Sequence, residues 1–242
     1  MKVGLIGFGR LGKLLTKYMI QDFDLVIYDV IDHSDEIKSL GASPGSFEEV
    51  CDCPIVIPFV PISEFEGVVK KMAPLLKEGT LVADVCSVKE MPAKVMQEEL
   101  PEHVQILATH PMFGPDSAGK TLFGSKIVLC NVRMDDKYFT DIKNYLETHG
   151  LKVIESTPEI HDKEISHSLL LTHFIGRTLM AFGAKNLSID TKGFRRLMKI
   201  LETVENDSWQ LFEDMNKYNP YSLQTRIQFL EAMQEIEKRL ET

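Results

Sequence analysis

The bulk composition is that of an ordinary globular chain with an acidic balance. The chain has 242 residues, of which 44% are hydrophobic and 26% charged, and its formal net charge is −9. This length fits one large domain or two modest ones. The negative charge argues against nucleic acid and anionic membranes as partners, because both need a basic face, although an anionic small-molecule substrate would need only local positive charge.

The cysteines give no sign of a disulfide framework or a metal site. Four are present, and Cys51 and Cys53 form C-x-C where a redox or zinc site has C-x-x-C. No apolar run approaches the ~20 residues of a membrane span, and Met1-Lys2 leads directly into a strand-like segment without a signal peptide. We therefore expect reduced thiols, no metal, no membrane partner and a cytoplasmic protein.

The first two thirds of the chain alternate between strand-like and helix-like segments. The segments 2–7, 10–21 and 24–29 form a βαβ unit, which predicts a parallel sheet with a right-handed crossover. The alternation continues with strands predicted at 54–60, 80–87, 104–110, 126–130 and 151–157, and helices at 64–76, 92–100 and 135–150.

The pattern changes after about residue 157. Helical periodicity covers 161–183, 193–215 and 221–240, without a further strand-like run. We therefore predict an α/β domain over 1–157 followed by an all-helical domain over 158–242. Roughly 85 helical residues are few for an independent core, which favours a homodimer in which the helical domain dimerises.

A glycine-rich turn joins the first predicted strand to the first predicted helix. It reads G-x-G-x-x-G inside a βαβ unit, the context that makes this pattern informative. The first glycine permits the tight turn, the second lets the backbone approach a pyrophosphate, and the third lets the helix pack against the strand. The free N–H groups of the helix would face the phosphates. We therefore predict a Rossmann-type dinucleotide-binding domain whose cofactor contacts Gly7, Phe8, Gly9, Arg10, Leu11 and Gly12.

The second predicted strand ends in an acidic residue. Asp29 lies 22 positions after Gly7, where a carboxylate can accept hydrogen bonds from the ribose hydroxyls of NAD and would repel the 2′-phosphate of NADP. Val30 follows, where an NADP enzyme often has arginine, while His33 could supply partial positive charge. We expect NAD to be preferred, and NADP use stays open.

Two clusters of reactive residue types follow predicted strands. One is DVCSVK at 84–89 and the other is THPMFGP at 109–115. Both fall at the carboxyl edge of the predicted sheet, where ligands bind in open α/β folds. His110 is suited to proton transfer near neutral pH. The structural alternatives are a core histidine bonded to backbone for His110 and a turn-capping serine for Ser87.

These segments resemble the D-x-x-S-V-K and HPMFGP segments of prephenate and arogenate dehydrogenases, most closely the plant-type arogenate dehydrogenases. The resemblance continues through 161–177, with a His-Asp motif and a Thr-His-x-x-Gly-Arg helix, and through 189–219, so it spans nearly the whole chain. One departure concerns the cofactor. The plant-type enzymes carry Ser-Arg where this chain has Asp29-Val30, and they use NADP.

The resemblance implies oxidative decarboxylation of prephenate or arogenate in tyrosine biosynthesis. Hydride leaves C4 of the cyclohexadienol for the nicotinamide while a base takes the hydroxyl proton, and loss of the ring carboxylate as CO₂ restores aromaticity. No metal is needed for this chemistry. His110 is the predicted base, and the resemblance implies that Ser87 hydrogen-bonds near the hydroxyl. The choice between prephenate and arogenate stays open.

The groups that bind the substrate carboxylates are predicted in the helical domain. His173 and Arg177 are four residues apart and so share one helix face. Arg195 resembles an arginine that binds the ring carboxylate in bacterial prephenate dehydrogenases. A surface or intersubunit role is equally open for each arginine. His161 and Asp162 resemble the interdomain motif of the family, for which a structural role is favoured.

Two other classes of function compete with this interpretation. The first is another reductase with a nucleotide domain and a helical domain, such as a β-hydroxyacid dehydrogenase or a pyrroline-carboxylate reductase. β-Hydroxyacid dehydrogenases usually carry a G-x-x-G-x-G-x-x-x-K stretch in their second half, and the sequence after residue 157 has none. The second is a non-catalytic NAD-sensing module, which predicts no base at the sheet edge, whereas His110 and Ser87 are both present.

Overall fold

The structure, a computed structural model, describes residues 1–241 without the side chain of Thr203. It divides into two compact units, Met1–Glu159 and Ile160–Thr242. The division falls in the first turn of a helix, two residues beyond the boundary expected from the change in sequence pattern.

The first unit is built on one eight-stranded sheet in the order β3-β2-β1-β4-β5-β6-β7-β8. The strands are β1 (Lys2–Ile6), β2 (Asp24–Tyr28), β3 (Ser43–Pro44), β4 (Ile55–Pro58), β5 (Leu81–Asp84), β6 (Gln105–Pro111), β7 (Lys126–Arg133) and β8 (Lys152–Glu155). All neighbouring strands are parallel except β6 and β7, so the predicted parallel sheet is confirmed as a mostly parallel one with an antiparallel pair at this place. The connection 112–125 contains no full crossover helix, and it turns back as a hairpin in which the Met112 N–H donates to the Lys126 carbonyl.

Seven helices belong to the first unit. They are α1 (Arg10–Met19), α2 (Ser34–Ser39), α3 (Phe47–Cys51), α4 (Ile62–Met72), α5 (Glu90–Glu99), α6 (Pro115–Ala118) and α7 (Asp136–Thr148), with a 3₁₀ turn at Ala73–Leu75 after α4. Side chains set several of the starts: Ser46 and Glu49 form a capping box at α3, and the Asp135 carboxylate accepts the N–H groups of Lys137 and Tyr138 at α7.

The sheet is covered by apolar side chains of both its own strands and the flanking helices. One core cluster centres on β1 and β2 and includes Leu5 and Ile27, and the other centres on β5, β6 and β7 and includes Leu107 and Leu129. Full burial of such a side chain stabilises the fold by about 1.5–3 kcal/mol. The packed sheet gives the residues at its carboxyl edge a rigid base.

The regular elements described in the second unit are all helices. They are α8 (Pro158–His167), which begins just before the unit boundary, α9 (Leu169–Phe182), α10 (Lys192–Val204), α11 (Trp209–Tyr218) and α12 (Ser222–Leu240). The helices predicted over 161–183 and 193–215 are each divided into two. The first is broken at Ser168, and the second between Val204 and Trp209. The Ser208 hydroxyl accepts the Leu211 N–H and so begins a new helix.

The inner side of α8 carries buried polar groups that bind other helices of the same unit. The His161 imidazole is 2.7 Å from the Asp162 carboxylate, and the Asn219 amide donates to the Asp162 carbonyl. The Thr225 hydroxyl donates to that of Ser166. These bonds cross-link α8 with the α11–α12 region. Over the described residues 1–241, no helix combines the length and apolarity that crossing a membrane requires.

Candidate active site

The glycine-rich turn follows β1 and leads into α1, and two of its glycines are sterically required. Gly7 has φ +105°, and a Cβ there would lie 2.3 Å from the carbonyl oxygen of Phe59. A Cβ at Gly12 would lie 2.8 Å from the Gly7 carbonyl oxygen. Gly9 differs, because no described atom lies within 4 Å of its Cβ position. The turn is therefore packed tightly on the protein side and open where a ligand would approach.

The open side of this turn is suited to an anion. Gly9 is the N-cap of α1, and no described side chain caps this helix N-terminus. The first N–H groups of α1 and the positive end of its dipole can therefore bind a phosphate. The turn follows β1, which lies between β2 and β4 in the sheet. The strand order reverses at β1, and open α/β sheets bind ligands at such a point.

Asp29 directly follows β2 and holds the glycine-rich turn. One carboxylate oxygen accepts the Phe8 N–H at 2.6 Å and the other accepts the Ile31 N–H at 2.9 Å. A carboxylate has about four acceptor positions, so both oxygens can accept further hydrogen bonds from a ribose. Val30 beside it is 87% exposed and offers no charge to a 2′-phosphate.

The other predicted turn residues differ in what they can contribute. The Phe8 ring is fully buried, so only its backbone could contact a cofactor. Leu11 is partly buried in the first turn of α1. The Arg10 guanidinium binds both oxygens of the Asp116 carboxylate at 2.9 Å, which ties α1 to the segment after β6.

Ser87 and His110 lie at the same edge of the sheet. Asp84, the last residue of β5, is in register with Ala108 of β6. Ser87 follows Asp84 by three residues, while His110 lies near the end of β6, two residues beyond Ala108. The Ser87 Oγ is buried and has no hydrogen-bond partner among the described residues, and His110 is buried. An unsatisfied buried hydroxyl at a sheet edge is a candidate ligand-binding group.

A buried ion pair that was not predicted from the sequence connects the segments that carry Ser87 and His110. Lys89 and Asp84 are in contact and both side chains are fully buried. The Asp84 carboxylate also accepts the N–H groups of Cys86 and Thr109, at 2.9 and 3.2 Å. Burial raises the pKa of Asp84, and the Lys89 ammonium opposes that rise. Asp84 thus cross-links the turn before Ser87 to the strand residue before His110.

The predicted carboxylate-binding residues of the second unit fall into two environments. His173 and Arg177 are buried one turn apart on α9, as the spacing predicts. The Arg177 guanidinium donates to the carbonyls of Asp207 and Ser208 and lies 4.6 Å from the centre of the Trp209 ring. These contacts hold the segment that leads into α11 and occupy part of the donor capacity of this arginine.

The remaining two groups differ in exposure. The His173 Nε2 is 3.8 Å from the Asp207 carboxylate, and its Nδ1 has no hydrogen-bond partner among the described residues. Burial lowers the pKa of His173, and Asp207 partly opposes this effect. Arg195, in the first turn of α10, is 58% exposed and 3.1 Å from the Asp190 carboxylate. Its guanidinium is therefore the most accessible of the three groups.

The fold and the turn together define a protein of the dinucleotide-binding Rossmann class. The nucleotide-binding domain model of prephenate dehydrogenase matches residues 30–155, more than half of the chain, and a TYRAAT1-like C-terminal domain model matches residues 178–242. Arogenate dehydrogenase 1, chloroplastic, and arogenate dehydrogenase 2, chloroplastic, both from Arabidopsis thaliana, are each 32% identical to 99% of this chain. The chain belongs to the prephenate/arogenate dehydrogenase family.

A solved structure supports the fold. Prephenate dehydrogenase from A. aeolicus in complex with hydroxyphenyl propionate and NAD⁺ superposes with a TM-score of 0.79 at 19% identity, covering 99% of this chain and 90% of that one. The chain covers 39% of the first Arabidopsis relative and 70% of the second, so it spans well under half of one of them.

Proposed function

We propose that the chain is an NAD-dependent oxidoreductase that catalyses oxidative decarboxylation of prephenate or arogenate in tyrosine biosynthesis. The observation that carries this proposal is the unsatisfied Ser87 hydroxyl at the same sheet edge as His110 and as a turn open to a phosphate. Relatives named arogenate dehydrogenase, and a structural neighbour with bound NAD⁺, support the same reaction and cofactor.

The cofactor would be held by backbone more than by side chains. Space at Gly9 and the uncapped N-terminus of α1 suit the pyrophosphate, and Asp29 suits the adenosine ribose. NAD supplies the hydride acceptor when bound. Asp29 and the uncharged Val30 favour NAD over NADP, with NADP as the weaker alternative.

His110 and Ser87 would act on the C4 hydroxyl of the substrate. Neutral His110 accepts the hydroxyl proton as hydride leaves C4, and Ser87 orients the hydroxyl by a hydrogen bond. Asp84 and Lys89 would hold the segments that carry both residues in place without contacting the substrate. Loss of the ring carboxylate as CO₂ then restores aromaticity, a step for which no further base is required.

The substrate carboxylates are proposed to bind His173, Arg177 and Arg195. Arg195 has the most accessible guanidinium, which supports it as the principal anchor. The lowered pKa of His173 favours its neutral form near pH 7, so it would contribute a hydrogen bond rather than a charge.

We further propose a homodimer and a cytoplasmic location. The helix α12 has an exposed apolar stripe spaced three and four residues apart, formed by Leu223, Ile227, Leu230, Met233, Ile236 and Leu240. A stripe of this length on a monomer would remain in water, and a second copy would cover it. None of the four cysteines, all within the described residues, forms a disulfide, which favours a reducing compartment.

The test is reduction of NAD⁺ and NADP⁺ followed at 340 nm with prephenate and with arogenate. We expect turnover with at least one substrate, a higher kcat/KM with NAD⁺ than with NADP⁺, and one CO₂ released per reduced cofactor. The purified full chain is the sample, and a simple 3-hydroxy acid serves as the control substrate. Turnover of the control alone would favour a β-hydroxyacid dehydrogenase, and no turnover with bound NAD⁺ would favour a sensing module.

A further inference from the structure

A small cluster of charges surrounds Phe8, next to the proposed ribose ligand. The Lys13 ammonium on α1 is 2.6 Å from the Glu36 carboxylate on α2. The His33 Nδ1, at the N-terminus of α2, is 3.8 Å from the same Glu36 oxygen. The Lys13 ammonium and the His33 imidazole therefore lie beside the same acidic side chain.

The cluster is linked to Asp29 through Phe8. The Phe8 N–H donates to the Asp29 carboxylate, while its ring is 5.5 Å from the His33 ring and 5.3 Å from the Lys13 ammonium. His33 also follows Asp29 by only four residues along the chain. Lys13 and His33 thus surround the residue whose N–H donates to Asp29, close to where Asp29 would bind an adenosine ribose.

A cation at this position is what a 2′-phosphate requires, yet the residues after β2 favour NAD. We propose that Glu36 is a specificity-determining residue, which neutralises Lys13 beside His33 and thereby keeps the ammonium from binding the 2′-phosphate of NADP. This inference rests on the proposed function, since it concerns the cofactor of the same site. Asp29 repels the phosphate directly, and Glu36 withholds the Lys13 cation that would compensate for that repulsion.

The exposure of the cluster makes the effect specific to the ligand. The side chains of Lys13, His33 and Glu36 are 33%, 25% and 46% exposed, so all three can be reached from solvent. A partly exposed ion pair contributes only about 0–1 kcal/mol to stability. Removal of the Glu36 charge should therefore leave folding intact while it releases the Lys13 ammonium toward the phosphate.

The experiment compares the affinity for NAD⁺ and NADP⁺ by isothermal titration calorimetry, without substrate. The variants are Glu36→Gln and the double variant Lys13→Met/Glu36→Gln. Glu155→Gln is the matched control, because Glu155 forms an equivalent pair with Lys143 at 2.6 Å, with side chains 53% and 33% exposed. Its loss removes the same charge from the same unit without involving the glycine-rich turn.

In Glu36→Gln we expect the ratio of NADP⁺ to NAD⁺ affinity to rise about tenfold, as for one charge removed within about 8 Å of a doubly charged phosphate. The double variant should lose most of this gain, and Glu155→Gln should keep the wild-type ratio. A ratio in Glu36→Gln within twofold of wild type, with NAD⁺ binding retained, would overturn the inference. Failure of wild type and all variants to bind either dinucleotide would instead refute the proposed function, and this inference with it.

Discussion

His173 shows how burial changes the pKa of a titratable residue. Burial lowers the pKa of His173, and the nearby Asp207 carboxylate offsets this only in part. The unfolded chain therefore takes up a proton near the ordinary histidine pKa of about 6.5, while the folded protein takes it up only at lower pH. The free energy of unfolding is thus unaffected by this residue above about pH 6.5. It falls as pH drops from there toward the lower pKa of His173 in the folded protein. His173→Gln should show a smaller fall in Tm between pH 7.5 and 5.5 than wild type, measured by circular dichroism, and equal slopes would contradict this account.

The sequence predicts some site residues better than others for a physical reason. The steric need for glycine at Gly7 and Gly12 follows from the local geometry of a strand–turn–helix, so the motif was enough to predict it, while the contact of Asp29 with a cofactor stays a prediction. The ion pair of Asp84 and Lys89 could not be predicted, because its burial depends on the register of β5 with β6. The only signal in the sequence was an acidic and a basic residue five positions apart within the reactive segment.

At the scale of single elements, substitutions in the glycine-rich turn should distinguish effects on folding from effects on cofactor binding. Gly9→Ala should change the unfolding free energy by less than about 1 kcal/mol, because its Cβ position is open and only an N-cap preference is lost. It should weaken NAD⁺ binding by at least tenfold, because the methyl group enters the space needed by the pyrophosphate. Gly7→Ala is the counterpart, and it should destabilise the fold by at least about 1–3 kcal/mol through its positive φ and its clash with Phe59. Urea unfolding and calorimetry measure both effects, and unchanged NAD⁺ affinity in Gly9→Ala would contradict the placement of the cofactor.

Most strands and the longer helices of the first unit were predicted from periodicity, whereas α2, α3, α6 and β3 were not. The three helices have six residues or fewer and β3 has two, which is too short for a helical or alternating pattern to emerge. In the second unit the apolar period runs across Ser168, so one predicted helix became α8 and α9. The break is local backbone geometry that periodicity does not record.

At the scale of the whole molecule, the sequence predicted an α/β part followed by a helical part from the loss of strand-like runs. The sequence did not indicate which helical surface remains exposed. From Leu230 onward every described residue of α12 is exposed, including Met233 and Ile236. The small size of the helical part motivated a dimer, and α12 offers the surface on which to test it.

The homodimer proposal predicts that acidic substitutions in the α12 stripe produce a monomer. Met233→Glu/Ile236→Glu places two charges on the apolar stripe, so sedimentation velocity should report a fall from about twice the chain mass to the chain mass. Gln228→Glu, at an exposed position of α12 away from the stripe, is the control and should leave the dimer intact. A wild-type monomer at micromolar concentration would contradict the proposal.

The role of His110 as the base is the central claim, and the kcat of His110→Asn tests it most directly. We predict a fall in kcat of about 10²–10⁴, the usual contribution of a positioned general base, with NAD⁺ affinity nearly unchanged. A His110→Asn enzyme that keeps more than about a tenth of wild-type kcat would contradict the assignment.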